Sequence, residues 1–284
     1  DHVLAYPCEV GKMRGKPVNN EQPRGLLYPK LAASKFQLTR HLPAPELSFF
    51  VQRYWLITWD LRGQEPHRQE NLSYPCVNLV FQRGQSTVYG VVKGKSSQLL
   101  AGQGRVLGVK FRPGAFYPFF KARISQLTDK ALPFAAIFGV DGAALEEQIL
   151  TQDDPARMIE PVEEFLRARL PAMDDTVTRV SQIVERIAAA PSTARVDALA
   201  QQFDLSQRSL ERIFQNYVGV SPKWVIKQYR LHEAAEQVAG DQWQDWPQLA
   251  VDLGYFDQSH FIKEFKTGVG RTPADYARRL AASS

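Results

Sequence analysis

Short apolar runs dominate the chain from about residue 24 to residue 124. The runs FVQRYWLITWDL, PCVNLVF, STVYGVV and GRVLGVKF are rich in aromatic and β-branched residues and are separated by breaks that contain Gly or Pro. Runs of this kind predict β-strands, and several short strands joined by turns are typical of a sandwich, jelly roll or barrel. Along YWLITWD, the two-residue period places Trp55, Ile57 and Trp59 on one face. The pattern predicts a β-rich domain over residues 24–124, preceded by an N-terminal extension over residues 1–23.

The pattern changes near residue 125. The stretches ISQLTDKALPFAAIFG and DGAALEEQIL predict short helices, and DDPARMIEPVEEFLRARL predicts a longer one. The longer stretch has acidic residues at its start, Pro155 near its first turn and Arg167 and Arg169 at its end, an order that suits the helix dipole. Residues 125–173 are therefore predicted to form a helical connector.

Residues 174–284 show helical periodicity only. In DTVTRVSQIVERIAAA, the apolar residues fall on one helix face; they are Val177, Val180, Ile183, Val184 and Ile187. A long helix is predicted from about Lys223 to Ala239 and a final one from about Pro273 to Leu280. The fold class predicted for the whole chain is α+β, with a cupin-like or jelly-roll-like domain, the connector and an all-α domain.

The all-α domain contains an internal duplication. Leu199-Ala200 match Leu249-Ala250 at an offset of 50, and Phe214 matches Phe265 at an offset of 51. The extra residue falls in a turn. Each copy reads as helix, tight turn, helix, which predicts two helix-turn-helix units at residues 196–217 and 246–267. Asp204 and Gly254 suit the left-handed position of each turn.

The second helix of each unit has an apolar face and an exposed polar face. Ser206 and Asp257 are the predicted N-caps of these two helices. The outward residues of the first are Gln207, Arg208, Glu211, Arg212 and Gln215, and the equivalent residues of the second are Gln258, Ser259, Ile262, Lys263 and Lys266. Such faces are often merely solvated, but a duplicated unit with matched glycines and prolines favours docking in two segments of a DNA major groove.

Charge qualifies this interpretation. The chain has a formal net charge of +5, yet residues 174–284 hold 13 Lys and Arg against 14 Asp and Glu. Phosphate binding by this part must therefore come from local placement of Arg and Lys.

Residues 180–280 resemble the DNA-binding domain of the AraC/XylS transcription regulators. LGYFDQSHFIKEFKTGVGRTPADYARRL is similar to that family's signature, and LSQRSLERIFQNYVGVSPKWVIKQYRLHEA resembles its first unit and linker helix. The resemblance implies double-stranded DNA as a partner. The base-reading residues that it implies are Arg208, Glu211, Arg212, Ser259, Ile262 and Lys263.

The chemistry of these residues suits the roles. Arg208 and Arg212 can donate to guanine N7 and O6, and Glu211 can accept from cytosine N4 or only position an arginine. At position 262 two interpretations stay open, contact with a thymine methyl or partial burial. Phosphate or flanking contacts are expected from Ser206, Gln207, Gln215, Gln258, His260 and Lys266; His260 also fits an ordinary surface histidine.

The β-rich part resembles, more weakly, the sensor-like domains of actinobacterial-type regulators, on PELSFFVQRYWLITWDLRG, RQENLSYPCVNLVF and GVKFRPGAFYPFF. This resemblance implies a regulatory domain that takes a small-molecule effector or forms a dimer, without naming a ligand. The candidate pocket residues are Trp55, Trp59, His67, Arg68, Tyr74 and Arg112, although core packing is the more frequent use of such aromatic residues. RNA polymerase and a second copy of the chain are further partners that the resemblance allows.

Enzyme classes find little support. His67 is the only histidine between residues 42 and 231, so a metal-binding cupin site is not expected, and no phosphate loop or nucleophile elbow is present. No metal or cofactor is predicted.

Two cysteines and no long apolar run favour a bacterial protein of the cytoplasm that is not bound to a membrane. The alternative function is a thiol-based redox or alkylation sensor that uses Cys76. The competing interpretation is that Cys76 is only a small buried hydrophobic residue.

Overall fold

The computed structural model describes residues 25–240 and 245–282. The predicted extension over residues 1–23, with Cys8, lies outside these ranges. The helices are α1 (Pro29–Lys35), α2 (Tyr117–Phe120), α3 (Phe134–Phe138), α4 (Ala143–Leu150), α5 (Pro155–Arg167), α6 (Asp175–Ala189), α7 (Val196–Gln202), α8 (Gln207–Tyr217), α9 (Pro222–Gly240), α10 (Trp246–Asp252), α11 (Gln258–Val269) and α12 (Pro273–Ala282). The strands are β1 (Gln37–His41), β2 (Val51–Leu61), β3 (His67–Leu72), β4 (Asn78–Phe81), β5 (Thr87–Tyr89), β6 (Lys95–Leu100), β7 (Gly102–Phe111) and β8 (Ala131–Pro133).

The β-rich domain predicted from the sequence is confirmed, and it has one large and one small sheet. Six antiparallel strands form the large sheet in the order β1-β2-β7-β4-β5-β8, and β3 and β6 form a two-stranded antiparallel ribbon. The long pair β2–β7 crosses the middle of the large sheet, with Leu56 opposite Leu107. This central pair supplies both faces of the domain.

The two faces of the large sheet have different environments because side chains alternate along a strand. One face packs into the main core, to which Tyr54, Leu56 and Leu107 contribute, together with α4 and α5. Trp55, Ile57 and Trp59 point to the other face, which borders a large cavity. The alternation expected along β2 is thus confirmed, and Trp55 and Trp59 face a cavity rather than the main core.

The connector differs from its prediction at its beginning. The stretch predicted as a short helix at residues 124–139 contains strand β8, which pairs with β5 and extends the sheet beyond residue 124. A helix follows only at Phe134. The later helices agree with the prediction, and Asp154 caps α5 by accepting the N–H of Arg157. Short strands of three residues carry too little periodicity to be separated from helix in the sequence.

The C-terminal part is entirely helical and has two hydrophobic clusters. The five apolar residues predicted on one face of α6 are all buried. Four of them join the cluster of the first helix-turn-helix unit, formed by α7 and α8, whereas Val177 packs against Phe50 and Ala115 of the β-rich part. Helices α10, α11 and α12 enclose the second cluster. Helix α9, of 19 residues, contributes to both clusters and would span about 28 Å at 1.5 Å per residue.

Polar and aromatic contacts join the β-rich part to the helical part. The Thr128 hydroxyl donates a hydrogen bond to the carbonyl oxygen of Gly219 at 2.7 Å. The rings of Tyr117 and Tyr217 stack with their centroids 4.1 Å apart. The carbonyl oxygen of Ser73 accepts from Gln228 of α9 at 3.0 Å. The sheet domain therefore rests on the end of α8 and on the helix between the two units. Among the described helices, none combines the length and the apolar character that a membrane crossing needs.

Candidate nucleic-acid interface

The two helix-turn-helix units share one turn geometry. Each turn is closed by the same pair of backbone hydrogen bonds, repeated 50 residues later. They run from Asp204 and Leu205 to the carbonyls of Gln201 and Ala200, and from Gly254 and Tyr255 to the carbonyls of Val251 and Ala250. Asp204 has φ of 52° and Gly254 has φ of 74°, so the left-handed position predicted for both turns is confirmed.

The predicted N-caps are also confirmed. Ser206 Oγ accepts the N–H of Ser209 at 3.1 Å, and Asp257 Oδ1 accepts the N–H of His260 at 2.7 Å. Each cap satisfies one of the amide groups that have no partner within the first turn of a helix. Both second helices therefore begin at matched positions, α8 at Gln207 and α11 at Gln258.

Helix α8 presents a basic outward face. Leu210 and Phe214 are fully buried against the domain, whereas Arg208 and Arg212 are exposed and Glu211 is half-buried. Neither arginine forms an ion pair with a carboxylate of the described ranges. Ser206, Gln207 and Gln215 are exposed around them, and they stand where the sequence predicts flanking contacts.

Helix α11 has a similar outward face with one apolar position. Ser259, Lys263 and Lys266 are exposed, and Gln258 is half-buried. Ile262 is half-buried and packs on the edge of the second cluster. Both interpretations of this position therefore remain compatible with its surroundings, since part of the side chain stays accessible.

His260 is exposed but has neighbours that the sequence did not indicate. Its Nε2 lies 3.5 Å from Glu264 Oε1, which also forms an ion pair with Lys227 of α9 at 2.9 Å. Glu264 thus ties α11 to α9. A phosphate contact from His260 would form beside this carboxylate.

The extra residue of the second unit is Phe256. The backbone bonds match up to Tyr255 at an offset of 50 and the N-caps match at an offset of 51, so the insertion lies between them. Its side chain is 92% exposed and precedes the first turn of α11. The insertion lengthens the entry to α11 without altering the turn hydrogen bonds.

Arg230 connects the two units, a role that sequence reasoning missed. From α9, its guanidinium donates to the carbonyl of Pro191 at 2.9 Å and to those of Ser192 and Ala194 at 3.3 Å, in the segment before α7. It also donates to the carbonyl of Gly254 at 3.1 Å in the second turn. An arginine on a mixed helix face gives no sequence signal for such use.

A cavity of about 1190 Å³ lies between the large sheet, the β3–β6 ribbon and α9. Of the predicted pocket residues, the structure brings Trp55, Trp59 and Tyr74 to its wall. His67, Arg68 and Arg112 are not among the described residues that line it. Arg68 contacts Ser97 on the outer ribbon.

Arg112 lies at the junction of the β-rich domain and the helical domain and contacts both. Its Nε donates to the carbonyl of Ser48 at 2.7 Å, and its guanidinium lies 3.7 Å from Glu185 of α6. Arg53 and Lys110 were not identified as cavity residues from the sequence. Each lies on the same face of its strand as apolar residues that line the cavity.

Cys76 is a buried thiol. It is 5% exposed, and Asn78 Nδ2 donates to its Sγ at 3.7 Å. Burial raises the pKa of the Cys76 thiol. Because the thiolate is the reactive form, this environment lowers its reactivity. Within residues 25–240 and 245–282, no group of three or more His, Cys, Asp or Glu side chains is placed to hold a metal ion.

Comparison with known proteins covers both parts of the chain. Residues 199–279 match a family model described as a helix-turn-helix domain, and residues 39–133 match one described as a domain of unknown function (DUF6597). An HTH-type transcriptional regulator of Haemophilus influenzae is 30% identical over 86 residues, which are 30% of this chain and 28% of that protein. The chain thus matches little more than a quarter of that relative's length.

A second relative is matched over most of its length. Regulatory protein SoxS of Salmonella typhimurium is 32% identical over 85 residues, which are 30% of this chain and 78% of SoxS.

Solved structures give weaker matches. A regulator from Chromobacterium violaceum, titled as an AraC-type DNA-binding domain-containing protein, aligns with a TM-score of 0.34 and 22% identity, over 38% of this chain and 96% of that one. ToxT of Vibrio cholerae O395 aligns with a TM-score of 0.39 and 12% identity, over 87% of this chain and 98% of that one. The assignment therefore rests on the sequence matches in the helix-turn-helix part: the chain belongs to the AraC family of transcription regulators.

Proposed function

We propose that the protein regulates transcription by binding double-stranded DNA with α8 and α11 in two successive major-groove segments. The observation that carries this proposal is the duplicated unit, with equal turns and N-caps and with an exposed polar face on each second helix. Arg208 and Arg212 on α8, and Ser259, Lys263 and the accessible part of Ile262 on α11, are the base-reading groups, with Glu211 accepting from cytosine or orienting an arginine. The flanking residues of both helices contact phosphates and fix the register.

The test is a selection of DNA sequences with the full chain at physiological salt, followed by titration of the selected duplex. Arg208→Ala and Arg212→Ala are each expected to cost about 1–3 kcal/mol on the selected duplex and to relax its sequence preference, because each removes a bidentate base contact. Lys266→Ala is expected to weaken all duplexes alike and to reduce the salt dependence. Arg62→Ala, a change at an exposed arginine of the sheet domain, is the matched control. Failure to enrich any sequence over random duplex would refute the proposal.

We infer further that the β-rich domain controls DNA binding. Support comes from its contacts with the helical part: Ser73 bonds to α9, and Thr128 bonds to Gly219 at the end of the first unit. The two recognition helices can take more than one arrangement relative to each other. A small molecule in the cavity shifts the population toward one arrangement only if it binds the protein better in that arrangement. The same holds for a second copy of the chain that binds to this domain. RNA polymerase is the expected protein partner at a promoter.

The thiol-sensor alternative has less support. The burial of Cys76 and the direction of its pKa both oppose the formation of a reactive thiolate. The effector proposal therefore takes precedence for this domain.

A further inference from the structure

The cavity is enclosed by both parts of the protein. Its floor is the open face of the large sheet, and α9 covers one side with Tyr229, Glu233 and Glu236. Its volume of about 1190 Å³ is somewhat larger than the range of about 300–1,000 Å³ that is usual for small-molecule sites. A molecule bound there would contact the sheet and the helix between the two recognition helices.

One end of the floor carries a row of polar groups on three adjacent strands. Arg53 of β2 pairs in register with Lys110 of β7, which pairs with Asn78 of β4. Side chains at paired positions share a face of the sheet and lie about 5 Å apart at their Cβ atoms. Two cations are thus placed side by side on the cavity wall.

These two cations are not neutralised by ion pairs with carboxylates of the described ranges. Lys110 Nζ instead lies 3.6 Å from the centroid of the Tyr74 ring. Both side chains are half-buried, and charges withdrawn from water without a counter-ion are costly. An anionic group in the cavity would offset that cost.

The rest of the floor is apolar and is built around two indoles. A Cβ at Gly108 would overlap the Trp55 ring, and one at Gly104 would overlap the Trp59 ring, so both rings lie directly over the β7 backbone. The Trp55 Nε1–H donates to Asn78 Oδ1 at 3.4 Å, and the Trp59 Nε1–H donates to a backbone carbonyl at 3.1 Å. The indoles are thereby held as a continuous apolar surface beside the cationic row.

The distances along β2 set the size of a matching ligand. At about 3.3 Å per residue, Trp55 lies about 7 Å beyond Arg53 and Trp59 about 20 Å beyond it. The carboxylates of the described cavity wall are Asp129, in the turn before β8, and Glu233 and Glu236, both on α9. The two glutamates disfavour an anion near α9 and leave the sheet side as its place.

We propose that this cavity binds an amphipathic organic anion, with its head group at Arg53 and Lys110 and its apolar body over Trp55 and Trp59. The regulatory meaning of this site rests on the proposed function, since the bound molecule would reach DNA binding through α9.

The experiment uses the full chain with 1-anilinonaphthalene-8-sulfonate as the probe, read by energy transfer from tryptophan. Decanoate is then added as competitor below its micelle concentration, beside decyltrimethylammonium and 1-decanol at equal concentrations. Decanoate is expected to displace the probe at a concentration at least tenfold lower than either the cationic or the neutral ten-carbon compound. Equal displacement by all three would overturn the proposal, because it would show an apolar site without charge selection.

Variants locate the head group. Arg53→Gln and Lys110→Met are each expected to weaken decanoate binding at least tenfold, while Lys110→Arg keeps the charge and retains binding. Lys93→Gln, at an exposed lysine outside the cavity wall, is the matched control. If Lys110→Met fails to fold, Arg53→Gln and Lys110→Arg still decide the question. Unchanged decanoate affinity in Arg53→Gln contradicts the assignment.

DNA titration separates this inference from the proposed function. Sequence-selective DNA binding without charge-selective ligand binding would refute the anion site and leave the DNA proposal intact. Charge-selective ligand binding without sequence-selective DNA binding would refute the DNA proposal and support the cavity site.

Discussion

Arg230 donates a hydrogen bond from Nη1 to the carbonyl oxygen of Gly254 at 3.1 Å. The same guanidinium bonds to three carbonyls of the segment that leads into the first helix-turn-helix unit. One side chain on α9 therefore fixes the turn of the second unit against the beginning of the first. The spacing of α8 and α11 depends on this side chain as well as on the length of α9.

Replacement of Arg230 by Met is expected to lower the free energy of unfolding by about 2–3 kcal/mol, since hydrogen bonds to a charged donor are among the stronger ones and the carbonyls lose that donor. The affinity for a duplex that carries both half-sites is expected to fall further than stability alone predicts. Urea unfolding and DNA titration measure the two effects. Arg278→Met, at an arginine whose side chain is 78% exposed, is the control and is expected to change stability by about 0.5 kcal/mol or less.

Gly254 has two separate reasons to be glycine. Its φ is 74°, and a Cβ on it would overlap the carbonyl of Ser192. Gly63 has nearly the same φ, 75°, but a Cβ there meets no atom within 4 Å. Gly63→Ala is therefore expected to cost about 1 kcal/mol, from backbone strain alone. Gly254→Ala is expected to cost at least about 1 kcal/mol more because the turn must also shift away from Ser192. Equal losses in thermal unfolding would show that the contact with Ser192 does not matter.

The helix-turn-helix part is largely predictable from sequence because its determinants are local. The side chains of Ser206 and Asp257 bond to amides three residues further on, and the buried residues follow the helical period. Offsets of 50 and 51 residues were enough to place both turns. The role of Arg230 was not predictable, because its partners are backbone carbonyls up to 39 residues away.

The cavity depends on strand pairing, which the sequence does not specify. Arg53 and Lys110 become neighbours only through the register of β2 with β7. The same register decides that Arg112, two residues past Lys110, leaves the sheet and meets Ser48 instead. Alternation alone separated the faces of β2, but it did not tell which of them was the main core and which bordered the cavity.

Cys76 is expected to react slowly with a thiol reagent in the native protein. Its pKa is raised by burial, so the thiolate fraction at any given pH is lower than that of a free cysteine, and access is restricted as well. The measurement is the rate of disulfide exchange with an aromatic disulfide at pH 8 in a Cys8→Ser background, before and after unfolding in urea. A rate at least about a hundredfold slower in the native protein is expected. A native rate equal to the unfolded rate would revive the thiol-sensor alternative.

Ligand binding in the cavity is expected to depend on pH through Lys110. Burial lowers the pKa of Lys110 to about 8, and the nearby charges of Arg53 and Arg40 lower it as well, against an opposing effect of Cys76. The other titratable or charged groups of the described cavity wall are Tyr74, Tyr89, Asp129, Lys130, Tyr229, His232, Glu233 and Glu236. Below pH 8 the ammonium form attracts an anion, and above it the neutral amine does not. The affinity for decanoate is therefore expected to fall as the pH rises from 7 to 9, whereas an ordinary lysine would keep its charge to about pH 10. Lys110→Arg is expected to bind decanoate with an affinity that does not fall between pH 7 and pH 9, because a guanidinium stays protonated throughout this range. An unchanged fall in affinity in Lys110→Arg would assign the pH dependence to another group and remove Lys110 from the head-group site.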